Sequence, residues 1–108
     1  MIEFADFQKV EMKTGKVLSV EVHPNADKLY VLKVDIGAGE VRTVVAGVRA
    51  YYTPEQLAGK TVIVVANLAA RPLRGVDSQG MVLAVHDGEK VKVLTVDTGE
   101  ATPGMKVT

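Results

Sequence analysis

The apolar residues of this chain come in short Val-rich runs, and Gly, Pro, Asn or Asp cuts each run off before a helix of any length could form. The most telling pair is Val62 to Ala66 and Met81 to Val85. Two buried strands of this kind would bracket a polar connection, 67–80, that carries Arg71, Pro72, Arg74, Gly75 and Gly80. A loop held out from a rigid scaffold is where binding residues concentrate, because the core fixes its ends while its backbone faces outward.

The rest of the chain follows the same grammar. Residues 2 to 12 hold Ile2, Phe4, Phe7, Val10 and Met12 with no clean period, which predicts a short helical turn or an irregular arm packed on the body. From Lys13 onward Leu18, Val20 and Val22 alternate with Val17, Ser19 and Glu21, the period of a half-buried strand. His23-Pro24-Asn25-Ala26-Asp27 breaks it, and Leu29 to Ile36 follows with Tyr30, Leu32, Val34 and Ile36 on one face and Lys33 and Asp35 on the other. Gly37 to Glu40 is a hairpin connection to a third strand, Val41 to Ala46. Thr53-Pro54-Glu55-Gln56-Leu57-Ala58-Gly59 reads as one or two helical turns: a capping Thr, Pro at the first helical position, Gln three residues past the cap and a terminal Gly. Strands are then expected at Thr61 to Leu68, Met81 to His86 and Glu89 to Val96, with a short last piece at Met105 to Val107.

This order predicts an all-β chain, a five-stranded Greek-key barrel of the OB type, with a short helix between strands three and four and extra terminal strands. Residues 1–108 are one domain's worth of chain, with no linker or repeat inside. There is no cysteine, hence no disulfide and no Cys-based metal site, which fits a reducing compartment. No run approaches the length of a membrane span, and with Glu3 and Asp6 the N-terminus has no basic n-region. A cytoplasmic protein without membrane attachment is expected.

Catalysis finds little support. His23 lies beside a proline and His86 beside a turn, neither in metal-ligand spacing. Ser78-Gln79-Gly80 is half of a nucleophile elbow, but Val76 stands where its first Gly belongs. No catalytic residue, cofactor or metal is predicted. The cations read better, although thirteen Lys and Arg balance thirteen Asp and Glu, so any polyanion site must be local. Lys28, Lys33, Arg42, Arg49, Arg71 and Arg74 fall in or beside the first and fourth inter-strand loops or on the outward face of strands two and three, which form the oligonucleotide groove of an OB barrel. Met81 offers a flexible apolar contact at the loop's edge. Tyr51 and Tyr52 could stack on bases, but packing beneath the short helix suits them better.

Several linked segments give the chain a resemblance: Val10-Glu11-Met12-Lys13-Thr14-Gly15-Lys16-Val17, His23-Pro24-Asn25-Ala26-Asp27-Lys28-Leu29, Val45-Ala46-Gly47-Val48, Ala66-Asn67-Leu68 and Arg74 through Ala84. In order and over nearly the whole length, it resembles the tRNA-binding domain family, which includes the C-terminal appendix of bacterial methionyl-tRNA synthetases, free-standing structure-specific tRNA-binding proteins and the related chaperone CsaA. The resemblance implies an OB-fold, binding of tRNA by shape, and, for the family's bacterial members, a homodimer built on the terminal segments. It sets the family's Ser-x-x-Met signature on Ser78 and Met81, its basic loop on Arg71 and Arg74, and the Asn of its first turn on Asn25, followed by Lys28. Two departures stand out: family members often carry Pro-Arg-Lys where this chain has Ala70-Arg71-Pro72, and Lys13 replaces a usual Arg.

The expected function is therefore non-catalytic, structure-specific tRNA binding, either free-standing or as the C-terminal domain of methionyl-tRNA synthetase, with an aminoacyl-tRNA synthetase body then as its partner. Asn25, Lys28, Lys33, Arg42, Arg71, Arg74, Ser78 and Met81 are its expected contacts. The alternative is a CsaA-like homodimeric chaperone for unfolded or export-destined polypeptides, with Ile2, Phe4, Phe7 and Met105 lining the apolar surface it would need.

Overall fold

In a computed structural model describing residues 1–108, the chain is built around one long strand, β1 (Met12–Val22). Its first half pairs antiparallel with β4 (Thr61–Val65) and its second half with β2 (Tyr30–Asp35). A strand shared by two partners in this way must bend, and two residues let it. Gly15 is packed so closely that a Cβ there would lie 2.6 Å from Val34 Cγ1. Leu18 is an extra residue in the ladder, where the register skips from Val17 opposite Val34 to Ser19 opposite Lys33.

The bulge corrects the expected face of β1. Across it the inward set passes from Gly15 and Val17 to Val20, so Leu18 and Val22 are each about half exposed while Val17 is fully buried. Strand β2 keeps its predicted alternation, with Tyr30, Leu32 and Val34 inward and Lys33 outward. It pairs with β3 (Val41–Ala46) across the 37–40 turn. Helix α2 (Pro54–Leu57) has its capping box formed, Thr53 Oγ1 accepting from Gln56 N–H and Gln56 Oε1 accepting from Thr53 N–H at 2.8 Å. It buries Leu57 beneath the barrel.

The main sheet runs β3-β2-β1-β4-β7, where β7 is Met81–Val82. Val17, Leu32, Val34, Val44, Val62 and Val64 fill its interior. Strand β4 ends at Val65 rather than Leu68. The segment 67–80 contains a hairpin the sequence did not suggest, β5 (Arg71–Leu73) and β6 (Val76–Ser78). The predicted 81–86 strand is split, because Leu83 N–H still bonds to Ile63 O while β8 (Ala84–Asp87) leaves the barrel to pair only with β9 (Lys90–Val93). The last segment contributes a single bridge between Lys106 and Lys13. At the other end, α1 (Phe4–Phe7) is one turn of helix whose apolar side chains face outward instead of onto the body. No helix is long and apolar enough to cross a membrane.

Candidate nucleic-acid interface

Closing the barrel requires something to cover the free edge of β3, whose amides would otherwise point into solvent. The end of the 67–80 segment does this partly with side chains. Ser78 Oγ accepts the Val45 N–H at 3.0 Å and donates to Gly80 O at 3.0 Å. Gln79 Oε1 accepts the Thr43 N–H at 2.9 Å, while the Gln79 N–H donates to Thr43 O at 2.7 Å. Ser78 is buried. Its hydroxyl therefore works inside the protein, and what it offers the surface is a fixed position for the hairpin above it.

Arg42 serves the same end. From the outer face of β3 its guanidinium donates to Ala66 O at 2.8 Å and Gln79 O at 2.9 Å, and its Nε–H to Glu40. Three of its five donors are engaged within the protein, and it bridges the start and finish of the 67–80 segment. Expected as an open surface cation, it is half-buried and paired.

The raised hairpin ends in a two-residue turn, Arg74-Gly75, between the paired residues Leu73 and Val76. Both turn residues have positive φ, 55° at Arg74 and 91° at Gly75, the signature of a type I′ turn, whose twist suits a tight antiparallel hairpin. Gly75 meets that demand without strain, whereas Arg74 carries its side chain into a conformation L-residues rarely adopt. The turn is held against the 23–29 loop, with Asn25 Nδ2 donating to Arg74 O at 3.3 Å. Asn25, Lys28 and Arg74 thus come together around one open recess of about 570 Å³, which Ala26, Asp27 and Leu29 complete.

The protein holds three ion pairs, Lys9–Asp6, Arg42–Glu40 and Lys92–Asp87. Lys28, Lys33, Arg71 and Arg74 belong to none of them, so their charge is not cancelled by a bridging carboxylate. Contacts link them in sequence: Lys28 and Arg74 share the recess, Arg71 begins the strand that leads into the Arg74 turn, Arg71 pairs with Ser78, and Gln79 joins Thr43, whose hydroxyl accepts from Lys33 Nζ at 2.6 Å. Met81 is partly exposed at the start of β7, opposite Val65. Arg49 lies outside this path, half-buried beyond β3. Of the two tyrosines, Tyr52 is structural, its carbonyl accepting from Tyr30 Oη–H and its own Oη from Val93 N–H, while Tyr51 is exposed.

Sequence reasoning passed over two residues that position this side. Gln79 supplies half of the edge cover, and nothing in its sequence context marks it. His23, which spacing offers only as a catalyst or ligand, is buried where the 23–29 loop meets the hairpin; a histidine directly before Pro-Asn in a turn is the available signal.

Comparison with known proteins agrees in both sequence and shape. Residues 12–106 match the family described as "Putative tRNA binding domain". The methionine–tRNA ligase of Pyrococcus furiosus is 54% identical over 106 residues, which cover 98% of this chain and 14% of the ligase. A MetRS related protein of Pyrococcus horikoshii superposes with a TM-score of 0.89 at 36% identity, covering 100% of this chain and 98% of the other. The CsaA chaperone protein of Picrophilus torridus superposes with a TM-score of 0.91 at 29% identity over the full length of both. The chain thus spans only about a seventh of the curated ligase it matches, but the whole of these two small solved proteins.

Proposed function

The chain belongs to the tRNA-binding domain family, and we propose that it binds folded tRNA without catalysing a reaction on it, through the side that carries Lys28, Lys33, Arg71 and Arg74. The observation that carries this reading is the meeting of Asn25, Lys28 and Arg74 at one recess with no carboxylate bridging either cation. Lysine and arginine without carboxylate partners are suited to phosphates, and an arginine fork can take two phosphate oxygens at once. A hairpin fixed on a barrel, with no row of exposed aromatic rings beside it, favours recognition by backbone and shape over reading of bases. Asn25 completes the recess with an amide able to meet a phosphate or a 2′-hydroxyl, and Met81, at the start of β7, adds an apolar contact. Arg42 and Ser78 act through the hairpin they hold.

Four cations per protomer make a weak site, so the reading includes a homodimer that presents two such sides to one ligand. Its support is the apolar surface of the terminal segments. Ile2, Phe4, Phe7, Val10 and Met105 are all exposed, and Phe4, Phe7, Val10 and Val107 line a common recess. Likeness to a methionine–tRNA ligase supports service as a tRNA-holding appendage of a synthetase, in the cytoplasm where tRNA is charged. The same apolar surface is what a CsaA-like chaperone would use, and a competition experiment separates the two readings. Labelled tRNA displaced by unlabelled tRNA, but not by an unfolded polypeptide, supports tRNA as the ligand; aggregation suppressed by a protein that retains no tRNA would replace it with the chaperone reading.

A further inference from the structure

Resting on the tRNA reading above, we infer that His23 is the positioning residue of the RNA site, the latch that sets the 23–29 loop and the Arg74 turn in one arrangement. His23 is 2% exposed, and both of its ring nitrogens are in use. Nδ1 lies 3.0 Å from the Asn25 amide, and Nε2 lies 2.9 Å from Leu73 O. A backbone N–H can only donate and a carbonyl can only accept. The ring must therefore be the neutral tautomer with its hydrogen on Nε2, accepting from Asn25 and donating to Leu73.

The two bonds do different work. The first is local, two residues along the chain, and folds the turn so that the Asn25 side chain reaches Arg74 O. The second crosses fifty residues and fixes the end of β5, the residue immediately before the turn that carries Arg74. Asn25 Nδ2 to Arg74 O is the only other hydrogen bond between the two loops, and at 3.3 Å it is the longer. The hairpin is otherwise anchored at its base, through Ser78 and Gln79 on β3. Without the Nε2 bond the tip can swing on that base, carrying the Arg74 guanidinium away from Lys28 and Asn25.

Two substitutions separate the bonds. In His23→Asn the amide oxygen stands where Nδ1 stood and can still accept from Asn25, but nothing reaches Leu73. In His23→Gln the amide nitrogen stands where Nε2 stood and can still donate to Leu73. If the latch acts through the hairpin, His23→Asn lowers tRNA affinity on the order of fivefold to tenfold, as expected for losing one buried hydrogen bond, while His23→Gln retains most of it. The decisive measurement is a double-mutant cycle with Arg74→Ala by filter binding, with folding of every variant checked by thermal melting. The inference predicts that His23→Asn costs little further affinity once Arg74 is gone, and that both single variants reduce the salt dependence of binding alike. Additive losses, or equal losses in the Asn and Gln variants, would overturn it. So would a ring nitrogen spectrum of the wild-type protein showing the hydrogen on Nδ1. Failure of the wild-type protein to bind tRNA at all would contradict the tRNA reading and take the inference with it, whereas binding with additive losses contradicts the latch alone.

Discussion

Ser78 Oγ occupies the place that a neighbouring strand's carbonyl would take, accepting the Val45 amide at 3.0 Å and passing its own hydrogen to Gly80 O. The residue that sequence resemblance sets among the RNA contacts thus seals the barrel from within. Ser78→Ala orphans a buried N–H, which costs about 1–3 kcal/mol. At about 4 °C per kcal/mol for a domain of this size, the melting temperature should fall by about 4–12 °C. A calorimetric melt checks this, and an unchanged melting temperature would return Ser78 to the surface role.

Arg74 offers the opposite case. Its φ of 55° is a conformation that glycine adopts freely. Arg74→Gly should therefore remove the charge without weakening the turn: tRNA affinity falls about tenfold, while the melting temperature holds or rises. A filter-binding titration paired with a melt reads both. A lower melting temperature with intact binding would make Arg74 a structural residue.

Arg42→Lys tests whether a cation on the expected groove face touches RNA. A lysine cannot span Ala66 O, Gln79 O and Glu40 together, since it lacks the planar fork. The account predicts a loss of about 1–2 kcal/mol in stability, with the salt slope of tRNA binding unchanged because the residue meets no phosphate. A reduced slope with stability intact would show direct contact.

The terminal apolar surface gives a fourth expectation. Phe4 is 72% exposed. Phe4→Glu should convert the dimer to monomer in sedimentation velocity without lowering the melting temperature at high dilution, and should weaken tRNA binding by more than any single cation does. A wild-type protein that sediments as a monomer would remove the dimer from the account.

Which of these features could be read from the sequence follows from how local their causes are. The alternation of β2 and the capping box of α2 depend on neighbours two to four residues away, and both appear as predicted. The turn in β1's facing depends on a bulge at Leu18, which a strict period of two cannot register. The hairpin at 71–78 escaped because its turn is Arg74-Gly75 in place of the usual Asn-Gly, and because Pro72 argues against a strand unless that strand lies at an edge, as β5 does. Charge and a place on the outward face of the third strand mark Arg42 as a surface contact. Two of its three partners lie 24 and 37 residues away, and only the closed barrel brings them within reach.

The central claim is that four cations without a carboxylate partner, Lys28, Lys33, Arg71 and Arg74, hold the phosphates of a folded RNA. The salt dependence of tRNA affinity tests it most directly. If the claim holds, the logarithm of the association constant falls linearly with the logarithm of salt concentration, with a slope of about 3 to 4 per protomer, and Arg74→Gly lowers that slope by about one. A slope near zero, or one that Arg74→Gly leaves untouched, would contradict it.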